Sequence, residues 1–144
     1  MKRIDQDVDI SNLYLTELPE FLSGLYVNGG FDCYNNQLTS LQGAPESIGG
    51  SFDCTHNQLT SLQGAPKSVK GSFICNNNQL TSLQGAPKSV YGSFSCAGNH
   101  LTSLQGVPES VGGSFYCGSN PIKFTEEQVR SVCDVRGTVF VRGG

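Results

Sequence analysis

One tract is written four times in this chain, nearly letter for letter. The copies occupy residues 36–56, 57–77, 78–98 and 99–119, and each follows N-[QH]-L-T-S-L-Q-G-[AV]-P-[EK]-S-[IV]-x-G-S-F-x-C-x-x. A fixed period of about 21 residues is the signature of a solenoid, because one short unit cannot bury its apolar residues without stacking on its neighbours. We therefore expect residues 1–144 to form a single repeat domain.

The tripeptide F-x-C in each copy predicts a short β-strand. Its Phe and Cys are two positions apart, as Phe73 and Cys75 are around Ile74, so both point to the same side of an extended chain. We expect Phe and Cys to enter the core and the middle residue to face solvent. Because a long connection separates successive strands, they must be parallel. The repeat thus predicts a single parallel sheet with one short strand per turn.

The remainder of each copy predicts an irregular convex side. In the third copy Leu80 and Leu83 can both point inward, while Gly85 and Pro87 favour a turn. The asparagine that opens each copy is expected at a corner, where its amide can bond backbone groups that no sheet reaches. These asparagines, with the one that follows the last copy, are Asn36, Asn57, Asn78, Asn99 and Asn120.

The flanking residues depart from the period and predict a cap at each end, since a solenoid needs its terminal apolar faces covered. Residues 1–35 are expected to form an N-terminal cap with a degenerate first coil. Residues 36–119 are the four repeats, and residues 120–144 are expected to form a C-terminal cap. At the front, Val8 and Ile10 have the inward alternation of F-x-C.

The C-terminal cap is predicted to contain a helix and a strand. Thr125 and Gln128 form a capping box, which indicates the start of a helix. Val129, Val132 and Cys133 recur at helical spacing and are expected to lie on the last coil. We expect Gly137 to end the helix and residues 138–141 to form a closing strand.

The pattern F-x-C-x-x-N-x-L-x-x-L resembles the leucine-rich repeat motif L-x-L-x-x-N-x-L-x-x-L, with Phe and Cys in the first two leucine positions. The P-x-x-V that follows is similar to the short class of bacterial repeats, and Cys-bearing, Gly-rich versions resemble those of tailed bacteriophages. The resemblance covers roughly residues 8–122. It implies a β-rich leucine-rich-repeat solenoid that binds a protein through its strand face, and for a bacteriophage protein it implies a modulator or inhibitor of a host protein.

Composition and charge narrow the class of partner. The net charge of −3 disfavours a nucleic-acid binder, because affinity for the phosphate backbone depends on contacts from Lys and Arg. No stretch approaches the length of about 18 apolar residues that a membrane helix requires, and residues 2–9 do not have the apolar run of a secretory leader. We expect a soluble cytoplasmic protein, in the host cytoplasm if a phage encodes it, with no nucleic-acid or membrane partner.

Cysteine and histidine are the candidates for chemistry. Five cysteines recur once in every repeat period, which predicts a line of thiols rather than the tetrahedral convergence of a metal site. Core packing is favoured, with disulfides between neighbouring strands and a metal site as the alternatives. His56 and His100 occupy different positions in their copies, and no cofactor or nucleophile motif is present. We therefore expect no enzyme activity, no cofactor and no metal.

The positions that differ between otherwise identical copies are the candidate binding residues. They are the residues inside and just after F-x-C, and the residue two before the serine of G-S-F. The predicted binding set is Asp32, Tyr34, Asp53, Ile74, Tyr91 and Tyr116. Tyr is enriched at interaction hot spots, so an apolar and aromatic stripe favours a protein partner. The alternative for these differences is neutral drift between recently duplicated copies.

Two other functions remain open on the sequence. Sheet edges or caps could assemble the chain into homo-oligomers, so we expect a monomer or a weak homo-oligomer. The repeated T-S pair offers rows of hydroxyls that could order water on an ice or another surface, although its position at a turn favours a structural role.

Overall fold

The structure, a computed structural model, describes residues 2–142 and is a solenoid of seven coils. Each coil contributes one two-residue strand to each of two parallel sheets. Sheet 1 contains β1 (Arg3–Ile4), β3 (Tyr26–Val27), β5 (Ser47–Ile48), β7 (Ser68–Val69), β9 (Ser89–Val90), β11 (Ser110–Val111) and β13 (Asp134–Val135). Sheet 2 contains β2 (Val8–Asp9), β4 (Phe31–Asp32), β6 (Phe52–Asp53), β8 (Phe73–Ile74), β10 (Phe94–Ser95), β12 (Phe115–Tyr116) and β14 (Val139–Phe140).

The predicted solenoid of short parallel strands is confirmed, and sheet 2 is the sheet that F-x-C predicts. The expectation of a single sheet was wrong, because the S-[IV] dipeptide forms a second strand in every repeat. Val69, for example, is 1% exposed and pairs with its counterpart Val90. Glycine makes the corner between the two sheets possible: a Cβ on Gly71 would lie 2.5 Å from the carbonyl carbon of Gly50.

Stacked phenylalanines form the centre of the core. The five rings are fully buried, with neighbouring centroids 5.3 to 5.5 Å apart and interplanar angles of 7° to 22°. They are Phe31, Phe52, Phe73, Phe94 and Phe115. Near-parallel rings at this separation are a favourable arrangement beyond the burial of apolar area. The inward orientation predicted for Phe is therefore confirmed.

The repeated asparagines tie neighbouring coils together, as their sequence position predicts. The amide of Asn57 donates to the backbone carbonyl of Cys54 in its own coil (3.1 Å) and to that of Cys33 in the coil before (3.0 Å). Its Oδ1 accepts from the N–H of Leu38 (3.0 Å). Four of the five asparagines are buried, and Asn120 is half-buried. These bonds satisfy backbone groups that neither sheet reaches.

The two ends differ in construction. In the first coil the inward-facing Ile4 and Val8 are only half-buried. The last coil contains helix α1 (Glu126–Val132), which begins with the predicted capping box of Thr125 and Gln128. Val132 is 51% exposed, so its predicted place on the last coil was wrong.

The chain enters sheet 1 directly after α1, so Gly137 does not end the helix. The helix stops at Val132, and β13 precedes the glycine. The closing strand predicted over residues 138–141 is present as β14. The last coil thus keeps both strands and replaces the irregular segment of a repeat with a helix.

Candidate functional site

The second residue of each sheet 2 strand, which is the middle residue of F-x-C in the repeats, faces away from the core. Asp32 lies opposite Asp53, and Ile74 lies opposite Ser95, because the strands pair in register from coil to coil. We call this row the outer ladder; its members are Asp9, Asp32, Asp53, Ile74, Ser95, Tyr116 and Phe140. With neighbouring strands about 4.8 Å apart, the outer ladder extends over about 29 Å.

One end of the outer ladder is acidic. Asp32 is half-buried between Asp9 and Asp53. Burial raises the pKa of the Asp32 carboxyl, and the charges of Asp53, Asp9 and Asp7 raise it further. The exposed Asp9 differs, because hydrogen bonds from the hydroxyl and N–H of Ser11 lower its pKa. Three carboxylates in a row favour a cationic group on whatever lies against them.

In the middle of the outer ladder the polar side chain is paired within the protein. The hydroxyl of Ser95 is buried and donates to Oδ1 of Asn76 (2.5 Å), which also accepts from the N–H of Ala97 (3.1 Å). Ile74 lies beside it, half-buried. The hydroxyl of Ser95 and Oδ1 of Asn76 are thus already paired within the protein, and Ile74 adds an apolar side chain beside them.

The other end is aromatic. The rings of Tyr116 and Phe140 stack with centroids 4.6 Å apart and planes 7° from parallel. Tyr116 is 38% exposed and Phe140 is 44% exposed. Two stacked rings hold each other in one orientation, so little side-chain freedom is left to lose on binding.

The predicted set does not lie on one row. Asp32, Asp53, Ile74 and Tyr116 belong to the outer ladder. Tyr34 follows β4 by two positions and is half-buried, and Tyr91 lies at the corner between β9 and β10, 65% exposed. The backbone N–H of Tyr91 donates to the carbonyl of Val69 in the preceding coil (3.3 Å), which places this tyrosine beside sheet 1.

The predicted set leaves out Ser95 of the outer ladder, and sequence reasoning missed the two members outside the repeats, Asp9 and Phe140. Both lie in terminal coils whose spacing is longer than that of the repeat: Arg3 pairs with Tyr26 and Ser110 pairs with Asp134. An alignment at the repeat period therefore leaves both residues without a counterpart. The usable signal was the alternation of apolar residues around each of them, V-D-I and V-F-V, which matches F-x-C.

The cysteine ladder lies inside the solenoid, as predicted. All six cysteines are free and buried. The thiol of Cys75 donates to the carbonyl of Ser95 in the next coil (3.2 Å), and its pKa is raised far above the ordinary range by burial. The less enclosed thiols of Cys117 and Cys133 have pKa values raised to about 11, also by burial. Such thiols are protonated at neutral pH and act as small apolar groups.

The His, Cys, Asp and Glu side chains do not gather into a metal site within residues 2–142. No group of three His, Cys, Asp or Glu side chains there is placed to hold a metal ion. His56 is exposed at a corner and has φ of 55°, like Asn35 and Asn77 at the equivalent positions of other coils. His100 lines an open groove of about 960 Å³ between the last repeat and α1, together with Lys123 and Glu126.

The repeated threonines and serines lie in turns outside both sheets. Ser61 accepts a hydrogen bond from the backbone N–H of Gln63 (3.3 Å), and Ser82 and Ser103 do the same in their coils. These hydroxyls thus stabilise a turn, which favours a structural role over a surface that orders water.

Comparison with protein-family models, with curated proteins and with solved structures finds no match to this chain. In the described range no helix combines the length and apolar character needed to cross a bilayer. Function must therefore be inferred from the geometry of the outer ladder and from the repeat motif.

Proposed function

We propose that this chain is a non-enzymatic module of the leucine-rich repeat kind that binds a protein partner through the outer ladder. The observation that carries the proposal is the change of chemistry along one straight row, from Asp9, Asp32 and Asp53 at one end to stacked Tyr116 and Phe140 at the other. The core and turn positions barely vary between the four copies, whereas the outer ladder has a different residue in each of them.

The aromatic end is suited to supply most of the affinity. Tyr116 and Phe140 present large apolar area in a fixed orientation, and Ile74 extends this surface two coils toward the acidic end. Binding energy at protein interfaces concentrates in a few such anchors, and aromatic side chains are enriched among them.

The acidic end is suited to orient the partner. A complementary surface carries a Lys or Arg roughly 14 Å or more from its apolar anchor, since three strand steps separate Asp53 from Tyr116. Charges at the rim of an interface act mainly on association rate and specificity. The net charge of −3 adds to this steering of a basic partner.

The thiol ladder and the repeat type suggest where this binding takes place. The thiols of Cys54, Cys75 and Cys96 donate to carbonyls of the next coil, an arrangement that requires the reduced form. Reduced thiols are maintained in a cytosol. Together with the bacteriophage-type motif, this supports a modulator or inhibitor of a host protein in the host cytoplasm.

Capture of a partner from a lysate of the host cell, with identification by mass spectrometry, tests the proposal. The double variant Tyr116→Ala/Phe140→Ala is expected to weaken binding of the captured partner at least about thirtyfold, as the loss of an aromatic hot spot does. Phe21→Ala is the matched control, because Phe21 is 70% exposed and lies outside the outer ladder.

Three outcomes separate the possibilities. Support requires that the wild type and Phe21→Ala retain the same protein while the double variant loses it. Retention by all three proteins would refute binding through the aromatic end. Loss with Tyr91→Ala but not with the double variant would move the site to the corner beside sheet 1.

A further inference from the structure

Backbone hydrogen bonds pass from coil to coil in sheet 1 with a constant polarity. The carbonyl of Val111 accepts from the N–H of Arg136 in the next coil (3.0 Å), and that of Gly113 accepts from the N–H of Gly137 (2.9 Å). The same pair of bonds links earlier coils, for example through the carbonyls of Ile48 and Gly50 (3.0 and 2.8 Å). Each coil therefore presents this pair of carbonyls to the coil that follows, together with the carbonyl of the residue before the strand, such as that of Glu109, which accepts from the N–H of Asp134 (2.8 Å).

In the last coil a side chain takes the place of the following coil. The equivalent carbonyls are those of Val135 and Gly137, and β13 is the edge strand of sheet 1. Nη1 of Arg130 donates to the carbonyl of Val135 (2.6 Å), and Nη2 donates to that of Gly137 (2.8 Å). The planar guanidinium supplies two donors in a fixed fork, as the backbone of a next coil does.

A neighbouring carboxylate fixes Arg130 in this position. Its Nε donates to Oε2 of Glu126 (2.8 Å), one helical turn earlier on α1. The capping box of Thr125 fixes the start of that helix. An arginine that closes a strand edge in this way prevents the edge from pairing with another chain.

The first coil matches the edge that Arg130 closes. The two strands start with the same spacing in both terminal coils, at Asp134 and Val139 in the last and at Arg3 and Val8 in the first. If a second copy continued the solenoid, its first coil would follow the last coil in the register of the repeats. Its inward-facing Ile4 and Val8, half-buried in one copy, would then lie against apolar side chains.

Charges at the matched positions are complementary. In that register Asp134 lies opposite Arg3 of the next copy, and Arg136 lies opposite Asp5. The ends also differ in overall charge: residues 2–20 contain two basic and five acidic side chains, and residues 120–142 contain four basic and three acidic ones. Opposite charges directly across neighbouring strands stabilise the pairing.

A serine ladder at the corner of the coils points to the same continuation. Oγ of Ser93 accepts from the N–H of Ser114, whose Oγ accepts from the N–H of Thr138 (3.0 and 3.1 Å). The hydroxyl of Thr138 is the next acceptor in this series, and Asp7 of a second copy would carry the corresponding N–H.

We propose that the two ends of the solenoid form a latent head-to-tail interface between copies of this chain, and that Arg130 holds it closed. The contact is heterologous, so an open interface adds copies without limit and forms a rod. Each copy would add about 34 Å, seven coils at the strand spacing of about 4.8 Å. This inference is independent of the outer ladder and of any partner bound there.

The variant Arg130→Ala tests the proposal, with light scattering for mass and electron microscopy for shape. The wild type is expected to stay monomeric as its concentration rises, whereas the variant gains mass several-fold and forms rods with the axial repeat given above. Arg142→Ala is the matched control, since it removes the same charge from the same end without touching the carbonyls of β13 and its corner. It is expected to behave as the wild type.

A charge exchange distinguishes the specific interface from aggregation of a damaged cap. In the Arg130→Ala background, Asp5→Lys places like charges opposite Arg136 and is expected to raise the concentration needed for assembly about tenfold. Adding Arg136→Glu restores opposite charges and is expected to restore assembly. Assembly that ignores both changes would overturn the proposal.

Circular dichroism checks that each variant folds. If Arg130→Ala fails to fold, Arg130→Lys is tested in its place. Lysine keeps the charge and the helix propensity but lacks the planar fork of donors. We expect Arg130→Lys to assemble into rods, although more weakly than expected for Arg130→Ala. Folded variants that remain monomeric would overturn the proposal. Rods formed already by the wild type would contradict the closing role of Arg130.

Discussion

In the central coils every core side chain has an equivalent neighbour on both sides, whereas in each terminal coil one of those neighbours is missing. Phe73 stacks between Phe52 and Phe94, but Val8 has a partner on one side alone and is half-buried. At the other end the side chain of Arg130 makes two of the hydrogen bonds that a following coil would make. Repetition therefore stabilises the middle of the solenoid, and residues outside the repeat must stabilise its ends.

The largest difference between middle and end is expected for the core. Phe73→Ala should lower the free energy of unfolding by about 3–5 kcal/mol, because it leaves a cavity between two rings that cannot both close it. Val8→Ala should lower the free energy of unfolding by about 1 kcal/mol, since the side chain is half-buried and water can enter the space left by its methyl groups. Urea denaturation followed by circular dichroism measures both. Equal losses would mean that the first coil is as tightly held as the middle.

Replacement of the repeated asparagines should also destabilise the protein more in the middle of the solenoid than near its end, although the difference is smaller than for the core. Asn78→Ala leaves the N–H of Leu59 without a partner in the core and removes one of the two asparagine donors from each of the carbonyls of Cys54 and Cys75, so it is expected to cost about 3 kcal/mol. Asn120→Ala should cost about half as much, because Asn120 is half-buried and water can reach its partners. The same urea titrations test this pair, and a larger loss for Asn120 would refute the contrast.

The smallest effects are expected for two neighbouring aspartates, with opposite signs. Asp32 has a raised pKa in the folded state, so its stabilising contribution exists at low pH and is lost as the pH rises through that pKa. Asp32→Asn should therefore raise the free energy of unfolding slightly at pH 7. Asp9 has a lowered pKa, so its contribution is present at pH 7 and is lost as the pH falls through that pKa.

Asp9→Asn should accordingly lower stability slightly at pH 7. Urea midpoints measured at pH 7 and at a pH below both carboxyl pKa values report the two signs. The difference between each variant and the wild type should shrink at the lower pH, where both carboxyls are protonated. Equal signs for Asp32→Asn and Asp9→Asn at pH 7 would show that the local environments do not act as described.

The repeat made sheet 2 predictable, because Phe and Cys at positions two apart are an unambiguous apolar alternation. Sheet 1 was not predictable in the same way: its strand has one inward residue, such as Val69, next to a serine and close to glycines that usually mark turns. The helix start at Thr125 was predictable from its capping box. The exposure of Val132 was not, since helical spacing does not say how much of a short helix the last coil covers.

For the candidate site, comparison of the copies identified the varying members of the outer ladder but not their neighbours in the caps. Phe140 is the stacking partner of Tyr116, yet it belongs to no repeat and has no aligned counterpart. Comparison of the copies also selected Tyr91, which varies between copies but does not lie on the outer ladder. Tyr91 directly follows the sheet 1 strand of its coil, and that strand was not predicted.

Because strands pair one repeat apart in every copy, a whole unit can be gained or lost while the backbone pairing between coils stays the same. Each tandem duplication would lengthen the molecule by one step of about 4.8 Å and move the carboxylates away from the stacked rings by that amount. Unequal recombination at the gene would thus change the distance between the carboxylates and the stacked rings in fixed steps, while the core of each coil stays the same.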